Sequence, residues 1–167
     1  MLNPTTPLSA EQKEKLERLI QVDLSKASTQ LLQRSNKTQR QESYKNALVE
    51  LNTSFEQYLA EAISVRFDLH AGQTRKLRFK KDRIRLLKQH DIDYLSIDGA
   101  NTAQVLSLIS QSILHEDAVV TPDLNDAFPF WKEGYPMVQF DNTYDILAED
   151  IQVHYQALIK TLLTTVH

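Results

Sequence analysis

Residues able to move a proton or grip a phosphate stand at two places in the chain. Arg85 and His90 lie five positions apart in a strongly basic stretch. A guanidinium beside an imidazole can work on a phosphodiester: the histidine moves the proton and the arginine holds the phosphate. The alternative for His90 is a cation at a helix C-terminus, interacting with the macrodipole. His115 heads a polar cluster with Glu116 and Asp117. Its alternative is a helix end opening into a solvated loop. His115, Arg85 and His90 are therefore the candidate catalytic residues. Metal ligation at His115 would need His154, Asp123 or Asp126 from elsewhere. No zinc-type spacing joins them and cysteine is absent, so the sequence predicts no metal site and no cofactor.

Two further stretches could bind rather than react. Arg75, Lys76, Arg78, Lys80, Lys81, Arg83, Arg85 and Lys88 face one acid, Asp82. Such a block attracts RNA, DNA or an acidic protein. Its alternative is a solvated face that balances the acidic loop and acidic last helix of the same molecule. The second stretch is Phe128-Pro129-Phe130-Trp131, where Phe130 and Trp131 could anchor a partner or cap the open end of a helical bundle. His70 and His154 are expected to be structural.

These groups must be positioned mainly by helices. Tyr44, Leu48, Leu51, Phe55, Tyr58, Ala62, Val65 and Leu69 alternate spacings of four and three, the seam of a helix packed on other helices. Ala47, Leu59, Ile63 and Phe67 form a second stripe beside it, so this helix is central. It begins near Thr38, capped with Gln41, and stops near His70 before Ala71-Gly72. Ser9 and Gln12 make a capping box for a first helix running through Leu31. A third helix is expected over 74–89. A fourth is capped at Asn101 and ends near His115. A loop over 116–141 follows, and a last helix starts near Asn142 or Thr143. The expected fold is mainly α, about five helices in one bundle over 1–167. A loose arm is expected over residues 1–8, and a small β element near 92–97 or 137–140.

Composition agrees with that class. The chain has 167 residues, enough to bury a full core, with 41% hydrophobic and 25% charged residues. Its three glycines, Gly72, Gly99 and Gly134, are few for a β-rich protein. A net charge of −3 gives no global bias toward nucleic acid, so the basic stretch leaves the remainder acidic. The polar start, the lack of cysteine and the lack of a long apolar run lead to the expectation of a cytoplasmic protein with no membrane contact.

The run from Asn46 to Ile63 resembles the long second helix of HEPN domains, all-α bundles of bacterial toxin and defence systems. Ser110-Gln-Ser-Ile-Leu-His115 is similar to that family's Arg-Asn-x-Ile-x-His segment, with Ser110 where the arginine would stand. The resemblance implies a helical bundle that binds without catalysing, in a toxin–antitoxin or phage-defence setting. It would contact nucleic acid or an acidic partner through the basic stretch. The alternatives are an immunity-type protein that blocks a toxin through the aromatic loop, and a metal-independent ribonuclease using His115, or Arg85 and His90. RNA, a protein or a second copy of the chain are the expected partners. Asn125 to Pro136 is also similar to a segment of zinc aminopeptidases, but Ala127 stands where their metal-binding histidine would be.

Overall fold

The computed structural model describes residues 7–164, so the expected N-terminal arm lies outside the described residues except for its last two. Among the described residues the chain forms eight α-helices and no named strand, and the fold is mainly α. The helices are α1 (Ala10–Leu19), α2 (Lys26–Gln33), α3 (Arg40–Phe67), α4 (Ala71–Lys76), α5 (Lys80–Gln89), α6 (Ala100–His115), α7 (Pro122–Ala127) and α8 (Phe140–Thr164). No helix among the described residues is long and apolar enough to cross a membrane. The expected β element near 92–97 is a 3-10 turn, Tyr94–Ser96. Near 137–140 there is no strand, and pairing is confined to one antiparallel bridge, Val119 with Pro136.

The described chain divides into two compact units. The first holds the residues up to Asp23, Phe55–Ala100 and the chain from Val153 onward. In it, the Ser9–Gln12 capping box forms as expected. The Gln12 amide also donates to the carbonyls of Val65 and Arg66, acceptors that the end of α3 cannot satisfy internally. The expected first helix stops at Leu19 instead of running through Leu31. Tyr155 donates its hydroxyl to the Leu19 carbonyl and Gln156 its amide to the Ile20 carbonyl. Side chains of α8 thus take over the backbone groups that the helix gives up. Burial pushes the Tyr155 hydroxyl above its ordinary pKa, and Glu61 and Tyr58 push the same way.

The end of α3 also comes earlier than Ala71-Gly72. Asp68 enters the left-handed region (φ 50°) and the Leu69 N–H returns to Ser64. His70 then caps α4 through a box with Gln73. The expected single helix over 74–89 is two helices, broken at Leu77–Phe79. At the end of α5, Ile92 N–H bonds Leu87 O and Asp91 N–H bonds Lys88 O, a Schellman closure with Leu87 and Ile92 buried.

The second unit holds Leu24–Ser54 and Asn101–Gln152. Leu24 N–H bonds the Gln152 side chain at 3.0 Å, and the buried Ser28 and Tyr144 hydroxyls meet at 2.6 Å. The Tyr44 and Tyr144 rings meet edge to face. At the start of α8, Gln41 accepts from Phe140 N–H, and Arg40 pairs with Asp141 at 3.2 Å. The Gln41 side chain, the Asn142 N–H and Arg40 together hold the Asp141 carboxyl below its ordinary range. The expected 116–141 loop is shortened by α7, which Thr121 caps and Pro122 opens. Along α3 the second stripe, Ala47, Leu59, Ile63 and Phe67, is buried throughout. The seam residues Tyr44, Tyr58 and Val65 are half-buried, as is Leu69 just beyond the helix end.

The closure of α5 places Asp91 at φ 60°, where a side chain costs conformational energy and glycine does not. Asp91→Gly is expected to raise stability by about 0.5 to 1 kcal/mol. Chemical denaturation checks it through a higher midpoint at unchanged m-value.

Candidate nucleic-acid interface

The α4–α5 segment of the first unit sorts its charges by helical spacing. Arg83, Leu87 and His90 are spaced four and three apart and are all buried. Lys81, Arg85 and Lys88 repeat the same spacing, about half a turn away, and are all exposed. Arg75 and Lys76, in the last turn of α4, and Arg78 in the break are exposed as well. Lys80 is half-buried. Arg85 has a loose contact with Asp82 at 3.8 Å. Among the described residues no ion pair engages Arg75, Lys76, Arg78, Lys80, Lys81 or Lys88. The acidic groups of the described chain therefore do not consume this charge in salt bridges. A shallow groove of about 240 Å³ runs along the same segment. Lys76, Arg85, Gln73, Gln89 and Asp82 line it, with Leu77 and Leu86 as its aliphatic part.

Arg83 belongs inside, not on the binding face where the sequence put it. Its guanidinium donates to the carbonyls of Leu77 at 3.0 Å and Arg78 at 2.8 Å, the backbone of the helix break. It lies 5.9 Å from the centre of the Tyr94 ring. Its Nε is buried without a hydrogen-bond partner. Tyr94 in turn meets His154 Nε2 at 2.9 Å, and His154 Nδ1 meets the Asp98 carbonyl at 2.7 Å. A carbonyl only accepts, so Nδ1 carries the proton and Nε2 accepts from the tyrosine. Burial lowers the His154 pKa and nearby Arg83 lowers it further, against the Asp98 carbonyl, which raises it. Gly99 closes this network from above: a side chain there would meet the His154 Cβ at 2.7 Å, and φ is +81°. His154 is thus structural, as expected. His70, the other histidine expected to be structural, is the cap of α4.

The candidate catalytic residues are not assembled into one another. Arg85 is exposed, whereas His90 is buried and stacked on Phe67 with ring centres 3.8 Å apart. They point about 140° apart around the helix axis. His90 Nδ1 is buried with no hydrogen-bond partner. Burial lowers the His90 pKa, and Arg66 adds to that against Asp91. His90 is therefore not the helix-end cation. His115, in the second unit, is the exposed last residue of α6, and Ser110 is buried within it. In the aromatic loop Trp131 is buried, its carbonyl held by Asn125, while Phe130 is 86% exposed. The Phe128 ring touches both. Of the two predicted anchors, only Phe130 is free to meet a partner.

The first unit has a second and larger groove, of about 550 Å³. It is lined by Asp91, Asp93 and Asp98 with Lys160 as its cation. Its carboxylates oppose a polyanion, so these two grooves have opposite character. Among the described residues no group of three histidine, aspartate or glutamate side chains could hold a metal.

Removing Arg83 leaves the Leu77 and Arg78 carbonyls without their donor. Arg83→Met is expected to cost about 1–3 kcal/mol, with faster amide exchange over residues 79–83, read by denaturation and exchange mass spectrometry. The two depressed histidines set a pH dependence. Each binds a proton less readily when folded than when unfolded. Their contribution to stability is therefore complete above about pH 6.5 and is lost as pH falls through the folded values. Denaturation midpoints should drop from pH 7.5 to pH 5, and His154→Gln should flatten part of that slope. Comparison with protein-family models, curated proteins and solved structures finds no match to this chain.

Proposed function

We propose that this chain is a non-catalytic helical binding module whose α4–α5 face takes a nucleic-acid backbone. One observation carries the reading. Arg75, Lys76, Arg78, Lys81 and Lys88 stand exposed on one short segment, and no carboxylate among the described residues pairs with them. Surface cations without partners stay fully available to phosphates, and the release of condensed counterions drives association. The placement of Arg85 and His90 on different sides of α5 supports binding over cleavage at this face. The bacterial toxin–antitoxin or phage-defence setting enters through the HEPN resemblance alone.

RNA binding by the full chain should weaken steeply with salt. Four to six phosphate contacts give a slope of log K on log salt of about −3 to −4 for a single strand. Combining Arg75→Glu, Lys81→Glu and Lys88→Glu should lower affinity by about 100-fold or more without unfolding, since all three side chains are exposed. Absence of binding at low salt sinks the reading. Binding to polyglutamate but not to RNA transfers the face to an acidic protein. A second reading rests on Phe130, which is 86% exposed in the aromatic loop: an immunity-type protein that docks on its target there. In that case the charge reversals keep the partner and Phe130→Ala loses it.

A further inference from the structure

We infer that the α4–α5 face takes its nucleic acid as a single strand, with Phe79 as the ring on which a base stacks. This rests on the nucleic-acid reading just given and adds to it the form of the ligand.

Phe79 lies in the break between α4 and α5, in extended conformation (φ −89°, ψ 128°), as the N-cap of α5. Its ring is 53% exposed, while Leu77, two residues before, is 2% exposed and anchors the break. About half of this aromatic residue stands in water, with Arg78, Lys80 and Lys81 beside it in the chain. The Arg78 guanidinium lies over the ring, 4.9 Å from its centre. A guanidinium and a phenyl ring together present the surface that unstacked bases use, sequence-tolerant and reinforced by charge. The ring is also held in place before any ligand arrives. Arg83 fastens the carbonyls of Leu77 and Arg78 from inside, so the residues leading to Phe79 need not be ordered on binding.

The surroundings suit a strand and not a duplex. Lys80 and Lys81 follow the ring directly, and Lys81 begins the exposed stripe that continues to Arg85 and Lys88. Phosphates can track that stripe while bases turn toward the protein. The neighbouring groove offers the amides of Gln73 and Gln89 beside Leu86, groups that meet base edges and faces. In a duplex the base faces are already stacked on one another. Phe79 would then meet only sugar and phosphate, and would contribute nothing.

The test uses the full chain and three probes of about 12 nucleotides, within the usual site size: oligouridylate, its abasic counterpart and a blunt RNA duplex. Titrations by fluorescence anisotropy compare the wild type with Phe79→Leu and Phe79→Trp. The wild type is expected to bind oligouridylate at least tenfold tighter than the duplex. Phe79→Leu should lower that affinity by about 10- to 100-fold, leave the duplex and the abasic strand unaffected, and bring all three probes to a similar level. Phe79→Trp should keep the preference. Because the side chain is exposed, the leucine variant should match the wild type in circular dichroism. If single strand and duplex bind alike and Phe79→Leu changes neither, the stacking inference is overturned while charge-driven binding stands. If no probe binds at low salt, the nucleic-acid reading falls and this inference falls with it.

Discussion

The first unit depends on a buried positive charge. Arg83 is 3% exposed, and among the described residues no carboxylate pairs with it. An isolated charge in such a place is unfavourable unless hydrogen bonds replace its water. Two backbone carbonyls do so, and they are available only because the helix is interrupted at Leu77–Phe79. The break and the arginine therefore explain each other. An unbroken helix would spend those carbonyls on its own ladder and leave Arg83 stranded. Without Arg83, the break would leave a buried acceptor unsatisfied.

The same charge constrains what surrounds it. Burial and Arg83 both push His154 toward its neutral form, and the Asp98 carbonyl, an acceptor only, sets the tautomer: Nδ1 donates to it and Nε2 accepts from Tyr94. Tyr94, pushed above its ordinary pKa by burial, keeps its proton and can donate. The donors and acceptors along this line thus run one way, from the tyrosine to the imidazole to the backbone. Gly99 must be a glycine for the line to close, since a Cβ there would collide with His154 and its φ is +81°. One network thereby ties the α4–α5 break to the 3-10 turn and to the last part of α8.

The mainly α class and several helix ends were legible because they rest on local chemistry. The Ser9–Gln12 box and the end of α6 at His115 follow from cap chemistry and period, whereas Asn101, expected as a cap, lies inside α6, which starts at Ala100. The breaks were not legible for a physical reason. At Leu19–Ile20 the orphaned carbonyls are satisfied by Tyr155 and Gln156, more than a hundred residues away in sequence. Nothing local announces such a partner. At Leu77–Phe79 a signal did exist. Arg83, Leu87 and His90 share one helical stripe, which places one of the cations on the apolar side. For Phe130 and Trp131 the sequence left anchor and packed cap both open, because residue type does not say which of two adjacent aromatics turns inward. The exposure of Phe79 had no sequence signal, because Leu77 and Phe79 alternate as a pair and only the backbone of the break separates their fates.

The division of charge within the first unit gives the proposed interface a direction. On α5 the exposed stripe Lys81, Arg85, Lys88 runs toward the helix C-terminus. Asp91 and Asp93, which line the larger groove, follow immediately. A polyanion lying along the stripe is attracted from Arg75 to Lys88 and repelled beyond it, so the face has a boundary set by the chain itself. The boundary coincides with the turn at which α5 must stop. Asp91 adopts the left-handed conformation that aspartate tolerates better than most side chains, and in doing so places a carboxylate at the end of the cationic run. If the proposed interface takes a strand, the residue that closes the helix is also the first to repel its phosphates.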